Sequence, residues 1–180
     1  MPGALSGKVI LLTGGEVKTI IATAHAVMAS GARIVITYSD PTTLEEISLR
    51  LGPEAVIVHN YASGRADGMK LAQVLKKNRV MLDQICLNMS VDGFSSLGSR
   101  MEQGWEDVFK QSIRSPYLFL SSLIPVLNPR STIRIRMPES SDSSLASSAS
   151  RAAAILLSHA LSKELLAKDF RITLDDDPCA

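Results

Sequence analysis

Short apolar runs alternate with helix-type segments along the whole chain, and this order constrains the fold more than any other feature. The apolar runs are rich in β-branched residues, as at 33–38, and turn residues such as Gly14 and Gly31 separate them from the helices. Continuous apolar strands separated by helices are typical of a parallel sheet with helices on both faces. The sequence therefore predicts an α/β fold, a doubly wound Rossmann-type parallel sheet in a single three-layer domain over residues 1–180.

The individual elements follow from the same periodicity. Strands are predicted at 9–12, 33–38, 55–58, 82–87, 132–137 and 171–174, and helices at 20–29, 42–51, 67–77, 105–127 and 146–167. Pro116 lies inside the fourth predicted helix. Because proline has no N–H to donate to the preceding turn, we expect a kink there.

The composition is that of an ordinary globular protein, and it excludes several classes of function. The 180 residues are 46% hydrophobic and 21% charged, with a net charge of +1. Such a balance gives no electrostatic basis for binding nucleic acid or an anionic membrane. No apolar run approaches the ~20 residues that span a bilayer, and the N-terminus lacks the layout of a signal peptide. We therefore expect a cytoplasmic protein with Cys86 as a buried free thiol.

A small-residue motif opens the last predicted helix. Residues 147–153 read Ser-Ser-Ala-Ser-Arg-Ala-Ala, and the apolar helix after them leads to Phe-Arg-Ile-Thr at 170–173. This segment resembles the Tyr-x-Ala-Ser-Lys-Ala-Ala stretch of short-chain dehydrogenases/reductases, which leads through a long helix into Ile-Arg-Val-Asn. The similarity extends from Gly7 to Thr173. It implies an oxidoreductase fold that binds NAD(P), and a chain that lacks the C-terminal substrate lobe of the family.

The positions that carry the chemistry of that family hold other residues here. Ser147 stands at the position of the tyrosine that transfers the proton, and Arg151 at that of the lysine that lowers its pKa. Ser112 aligns with the helix asparagine of the family, and Met137-Pro138 with its serine pair. A serine hydroxyl is too weak an acid to exchange protons near neutral pH, and arginine stays protonated. The resemblance therefore predicts a degenerate member of the family.

The glycine-rich turn that holds the cofactor pyrophosphate in the family is only partly present. The family pattern is Thr-Gly-x-x-x-Gly-x-Gly; Thr13 and Gly14 match it, whereas Lys18 and Ile20 occupy the later glycine positions. Those glycines let the phosphates approach the backbone at a helix N-terminus. We therefore expect that the protein binds no cofactor. The alternative is that it binds NAD(P), with Lys18 in contact with a phosphate. The candidate cofactor-binding residues, from this turn and the ends of the next strands, are Thr13, Gly14, Gly15, Lys18, Tyr38, Ser39, Asn60 and Asn88.

Three functions are compatible with these residues. The first is a non-catalytic structural or regulatory subunit of a homo-oligomer, or of a hetero-oligomer with an active paralogue, formed through helices 105–127 and 146–167. In the family this pair of helices forms a four-helix bundle between subunits. The second is an NAD(P)-dependent oxidoreductase with an atypical active site. The third is a cofactor-independent isomerase, lyase or cyclase in which Arg151 acts with Glu139 or Asp142. The histidines and cysteines form no ligand pattern, so no metal site is expected.

Overall fold

The computed structural model describes residues 3–60, 62–88, 106, 110–136, 145–165 and 169–175. The strands are β1 (Val9–Thr13), β2 (Arg33–Tyr38), β3 (Ala55–His59), β4 (Leu82–Asn88), β5 (Leu127–Arg136) and β6 (Arg171–Asp175). The helices are α1 (Val17–Ala29), α2 (Pro41–Leu51), α3 (Arg65–Lys77), α4 (Ser115–Leu123) and α5 (Leu145–Leu165). All strands pair in parallel, in the order β3-β2-β1-β4-β5-β6. A strand order that reverses beside β1 is that of a doubly wound Rossmann-type sheet, and it confirms the predicted fold class.

Helices cover the sheet in two layers, and each layer closes an apolar core. Residues of α1 and α2 pack on one face of β1 and β2, around Ile20, Ile34 and Ile47. Residues of α3, α4 and α5 pack on the other face, around Leu71 and Phe119. Because β1 and the middle of β2 are buried on both faces, they are continuous apolar runs in the sequence.

Strand β6, and β5 from Thr132 onward, differ from this pattern, because polar and apolar residues alternate along them. Ile133 and Ile135 are buried in the core that α5 helps to close, whereas Thr132 and Arg134, on the opposite face of β5, are partly exposed. The expectation of a sheet covered on both faces therefore holds for β1 and β2. In the described part of the chain, β5 and β6 have one apolar face and one polar face.

The fourth predicted helix ends earlier than the 105–127 pattern indicated. A π-helical turn at Lys110–Arg114 precedes α4, a 3-10 turn at Ile124–Val126 follows it, and Leu127 already belongs to β5. Pro116 cannot donate a backbone hydrogen bond, and the wider π turn ends two residues before it, at Arg114. The kink at Pro116 stays a prediction.

The remaining elements lie where the pattern predicts them, apart from small shifts at their ends. Parts of three predicted elements, residues 105 and 107–109, 137, and 166–167, lie outside the described residues. None of the helices in the described ranges is long and apolar enough to cross a membrane.

Asp83 ties together the amino ends of β1, β4 and β5. Its carboxylate accepts hydrogen bonds from the backbone N–H of Val9 (2.9 Å), from Lys8 Nζ (3.0 Å) and from Asn128 Nδ2 (3.2 Å). Partial burial by itself would raise the pKa of this carboxyl. The three hydrogen bonds and the charge of Lys8 outweigh that effect, so the pKa of Asp83 is lowered.

We expect Asp83→Ala to lower the free energy of unfolding at neutral pH by about 2 kcal/mol, the scale of hydrogen bonds to a charged group. Because the pKa of Asp83 is lower in the folded protein, its carboxylate stabilises the fold above the unfolded-state value of about 4. That contribution is lost as the pH falls through the folded-state pKa. Urea unfolding of both proteins at a series of pH values checks this, with the exposed Glu54→Ala as control. A difference between Asp83→Ala and the parent that stays constant down to acid pH would contradict it.

Candidate functional site

The turn after β1 is packed tightly against the end of β4. Gly14 and Gly15 have φ angles of 71° and 91°, which glycine adopts without strain. A Cβ atom on Gly14 would lie 2.5 Å from the carbonyl oxygen of Asn88, and one on Gly15 would lie 3.0 Å from Asn88 Cβ. Asn88 Nδ2 donates to the carbonyl oxygens of Gly14 (3.0 Å) and Thr13 (3.4 Å). The two glycines allow the close approach, and the amide of Asn88 then holds it.

Tyr38, the last residue of β2, reaches the same turn. Its hydroxyl donates to the carbonyl oxygen of Gly15 at 3.3 Å. On the neighbouring strand, His59 Nε2 lies 2.8 Å from the carbonyl oxygen of Ser39. In dinucleotide-binding folds the end of the second strand selects the cofactor through an acid or an arginine. Here that position holds a tyrosine that is bonded to the glycine turn.

Asp40 caps the N-terminus of α2. Its carboxylate accepts hydrogen bonds from the hydroxyls of Thr42 and Thr43 and from the backbone N–H of Thr43. These bonds, the one from the Thr42 hydroxyl first, lower the pKa of Asp40 to about 2. The Asp-Pro-Thr-Thr sequence, with Pro41 at the start of the helix, is a typical signal for such a cap. Asp40 places a fixed negative charge beside Ser39, where the 2′-phosphate of NADP favours an arginine.

Asn60 is bound within the loop that leads into α3. Its Nδ2 donates to the carbonyl oxygen of Asp67 at 2.9 Å, and its Oδ1 accepts from the N–H of Ala62 at 2.8 Å. The side chain is buried. Both ends of the amide therefore shape this loop, and contact between Asn60 and an adenine stays a prediction.

The N-terminus of α1 follows the glycine turn directly. Glu16 is the N-cap residue, and its side chain makes no capping hydrogen bond. Glu16 and Lys18 are both exposed, so opposite charges lie at this helix end. Ile20 is buried in the core between α1 and the sheet, which shows that the interface accommodates an isoleucine where the family has a glycine. Contact between Lys18 and a phosphate stays a prediction.

Two of the candidate catalytic residues lie on elements that touch. Ser112 is in the π turn and is buried, and Arg151 is in the second turn of α5 and is partly exposed. The helix α5 contacts the π turn, which brings the two elements together. Ser147 lies in the first turn of α5. The other positions discussed for catalysis, Met137, Pro138, Glu139 and Asp142, lie outside the described residues.

Metal ligation has no visible basis in the part of the chain that the structure describes. No three His, Cys, Asp or Glu residues come together there in a way that could hold an ion. The exposed His25, His59 and His159 belong to α1, β3 and α5. No two of these histidines share an element.

The sheet that reverses beside β1 and the glycine turn between β1 and α1 define a Rossmann-type, dinucleotide-binding class of fold. No family model matches the chain. A curated protein from Pseudomonas aeruginosa, the 3-oxoacyl-[acyl-carrier-protein] reductase of rhamnolipids biosynthesis, is 26% identical over 184 residues. The alignment covers 95% of this chain and 72% of the reductase.

Solved structures share the fold over nearly the whole chain. The RhlG/NADP active-site complex of Pseudomonas aeruginosa has a TM-score of 0.76 at 24% identity, covering 97% of this chain and 73% of that one. An apo short-chain oxidoreductase from Pseudomonas aeruginosa PAO1 with an atypical catalytic center has a TM-score of 0.82 at 17% identity, covering 94% and 69%. Together with the curated relative, they confirm the resemblance to short-chain dehydrogenases/reductases.

We expect Asn88→Ala to lower the free energy of unfolding by about 2 kcal/mol, because two partly buried carbonyl groups lose their donor. The matched control is Asn78→Ala. Asn78 Nδ2 donates to the carbonyl oxygen of Val74 at 2.8 Å, but at an exposed helix end where water replaces the lost bond, so a change below about 0.5 kcal/mol is expected. Urea unfolding followed by circular dichroism gives both values. If both variants lost the same free energy of unfolding, the larger contribution predicted for the Asn88 hydrogen bonds would be contradicted.

Proposed function

We propose that this chain is a non-catalytic subunit of the short-chain dehydrogenase/reductase type, which assembles with another chain of the same fold. The observation that carries the proposal is the set of contacts on the Gly14–Gly15 turn. Asn88 bonds to the turn from β4, and Tyr38 bonds to it from β2. The protein's own side chains thus contact the turn at which folds of this class hold a dinucleotide.

These contacts disfavour an anionic ligand at the turn. A pyrophosphate site needs backbone N–H groups and room for the phosphates to approach the glycines. Asn88 is packed against both glycines, and Tyr38 is bonded to the second. The exposed carboxylate of Glu16, the N-cap residue of α1, adds negative charge next to the turn. A pyrophosphate would have to approach past these side chains and this charge.

The candidate catalytic positions also lack a proton donor suited to neutral pH. Reduction of a carbonyl requires a group that exchanges a proton near pH 7. Ser112 is a buried hydroxyl, and Arg151 has a guanidinium group where the family has a lysine amine. These residue types support structure or charge at the site, and they do not support proton transfer.

The helix α5 offers a surface for assembly. Ile155 is 42% exposed and Leu156 is 60% exposed, and the small Ala160 lies one turn after Leu156. Leu157 and Ala154, on the opposite side of the helix, are buried in the core. Large apolar side chains exposed beside small residues suit close packing against another helix. We infer a homo-oligomer, or a hetero-oligomer with an active homologue, formed through α5 and the 105–127 segment.

A second candidate function is that of an NAD(P)-dependent oxidoreductase with an atypical active site. It is favoured by the similarity to an oxidoreductase with an atypical catalytic center and to an NADP complex. The uncapped N-terminus of α1, with Lys18 beside it, also presents N–H groups and positive charge that suit a phosphate. This function requires Lys18 to take over the role of the missing glycines.

Titration with NAD(H) and NADP(H), read by calorimetry and thermal shift, separates the two candidates. For a non-catalytic subunit we expect neither heat nor a shift at cofactor concentrations up to about 1 mM, at which a ligand of micromolar affinity would stabilise the fold by about 4 kcal/mol. Such stabilisation would overturn the proposal. If it occurs, Lys18→Ala should remove it. Lys77 lies in the last turn of α3, near the amino ends of the strands, whereas Lys18 lies near their carboxyl ends. Lys77→Ala should therefore leave the stabilisation by cofactor unchanged.

The assembly surface has its own test. Leu156→Glu should shift the protein toward monomer, because a carboxylate would be buried in the contact between helices. Leu49→Glu is the matched control, since Leu49 is 81% exposed on α2 and lies outside the proposed surface. Sedimentation velocity over a wide concentration range measures both. A parent protein that neither self-associates nor binds a homologous oxidoreductase would contradict assembly through α5.

A further inference from the structure

We propose that copies of this chain associate head to tail, through contact between the exposed side of α2 on one copy and the exposed side of α3 on the next. Both helices are described along their whole length. The proposal rests neither on the chain being non-catalytic nor on association through α5. It follows from two patterns of exposed charged and apolar side chains that complement each other.

The exposed side of α2 carries a leucine beside a carboxylate. Leu49 is 81% exposed, more than any other large apolar side chain in the described part of the chain. Glu45 lies one helical turn before it and is also exposed. Glu46 is paired with Arg50 at 2.8 Å, whereas Glu45 makes no ion pair with a described residue. We call Glu45 and Leu49 the α2 face.

The exposed side of α3 carries the complementary pattern. Val74 is 39% exposed, and the exposed Lys70 and Lys77 lie one helical turn before and after it. Residues three or four positions apart are neighbours on a helix surface, so the two ammonium groups lie on either side of the valine. Neither lysine makes an ion pair within the part of the chain that the structure describes. We call Lys70, Val74 and Lys77 the α3 face.

An apolar contact between Leu49 and Val74 brings opposite charges together. Because a lysine flanks the valine on each side, the Glu45 carboxylate comes next to a lysine whether the two helices run parallel or antiparallel. Burial of the leucine removes apolar surface from water, and the charge pair fixes the position of the contact. Two α2 faces would instead set carboxylate against carboxylate, and two α3 faces would bring lysines together. Charge complementarity therefore selects a contact between unlike faces.

The two faces point away from opposite sides of the sheet. Ile47 of α2 is buried in the core on one side of the sheet, and Leu71 of α3 is buried in the core on the other. The α2 and α3 faces lie on the outer sides of these helices. A copy whose α2 face is bound to one neighbour therefore leaves its α3 face open to another. A contact between unlike surfaces of this kind extends into a ring or an open chain of copies.

Complementation between two variants tests this arrangement, in a Leu156→Glu background that removes association through α5. Glu45→Ala/Leu49→Ser disrupts the α2 face, and Lys70→Glu/Lys77→Glu disrupts the α3 face. Each variant alone should associate more weakly than the Leu156→Glu protein by about tenfold or more, equivalent to about 1.4 kcal/mol. Mixed in equal amounts, the two variants should form a dimer that does not grow, because the mixture offers only one intact face from each. Sedimentation equilibrium measures these species.

A control variant separates this contact from a general effect of charge. Lys18→Glu/Arg33→Glu makes the same change in net charge as the α3 variant, at exposed positions outside both faces, and should associate as the Leu156→Glu protein does. Circular dichroism confirms that each variant is folded. Since neither face includes a residue of α5, the oligomer formed through α5 should persist in Leu49→Glu.

Three outcomes would overturn the proposal. The first is a Leu156→Glu protein that stays monomeric at the highest concentration reached. The second is an equal mixture of the two variants that forms no dimer. The third is a control variant that loses association as completely as the α3 variant does, because net charge and not the α3 face would then govern association.

Discussion

The contact between Asn88 and the Gly14–Gly15 turn joins three parts of the molecule. It ties the end of β4 to the end of β1, and through the turn it sets where α1 begins. That helix then buries Ile20 against the sheet. The geometry works only because neither glycine has a Cβ atom, since such an atom would meet Asn88 at 2.5–3.0 Å. A local change at the turn would therefore reach both the central strands and the core beneath α1.

The same contact holds the glycine turn from within the chain. Buried polar groups without partners are costly, so the carbonyl groups of the turn need donors. In this chain Asn88 and Tyr38 supply partners for the carbonyl groups of the turn. The turn is thus held by packing and internal hydrogen bonds, with Lys18 and Ile20 at the positions where the family has glycines.

The sequence predicted the sheet well, because β2 and β4 are largely buried and short apolar runs bounded by turn residues are typical of buried strands. The end of the fourth helix was harder to predict. Leu127 is buried whether it ends a helix or begins a strand, so the apolar pattern continues across the boundary, and Pro116 signals an irregularity without specifying a π turn. The hydrogen bonds of Asn60 and Asn88 could not be predicted from the sequence, for a different reason. Their partners are mostly backbone carbonyl oxygens, which every residue has and which only the folded chain brings near.

The polar face of β5 has a consequence for how this protein can change over time. Ile133 and Ile135 are fully buried in the core, so a substitution there forces the core to repack. Thr132 and Arg134 point the other way and remain partly in contact with water. From Thr132 to Ile135, substitutions that disturb the core therefore alternate with substitutions that reach the surface, and the buried Arg136 ends this alternation. New surface chemistry on this strand can arise at Thr132 and Arg134, the two partly exposed positions.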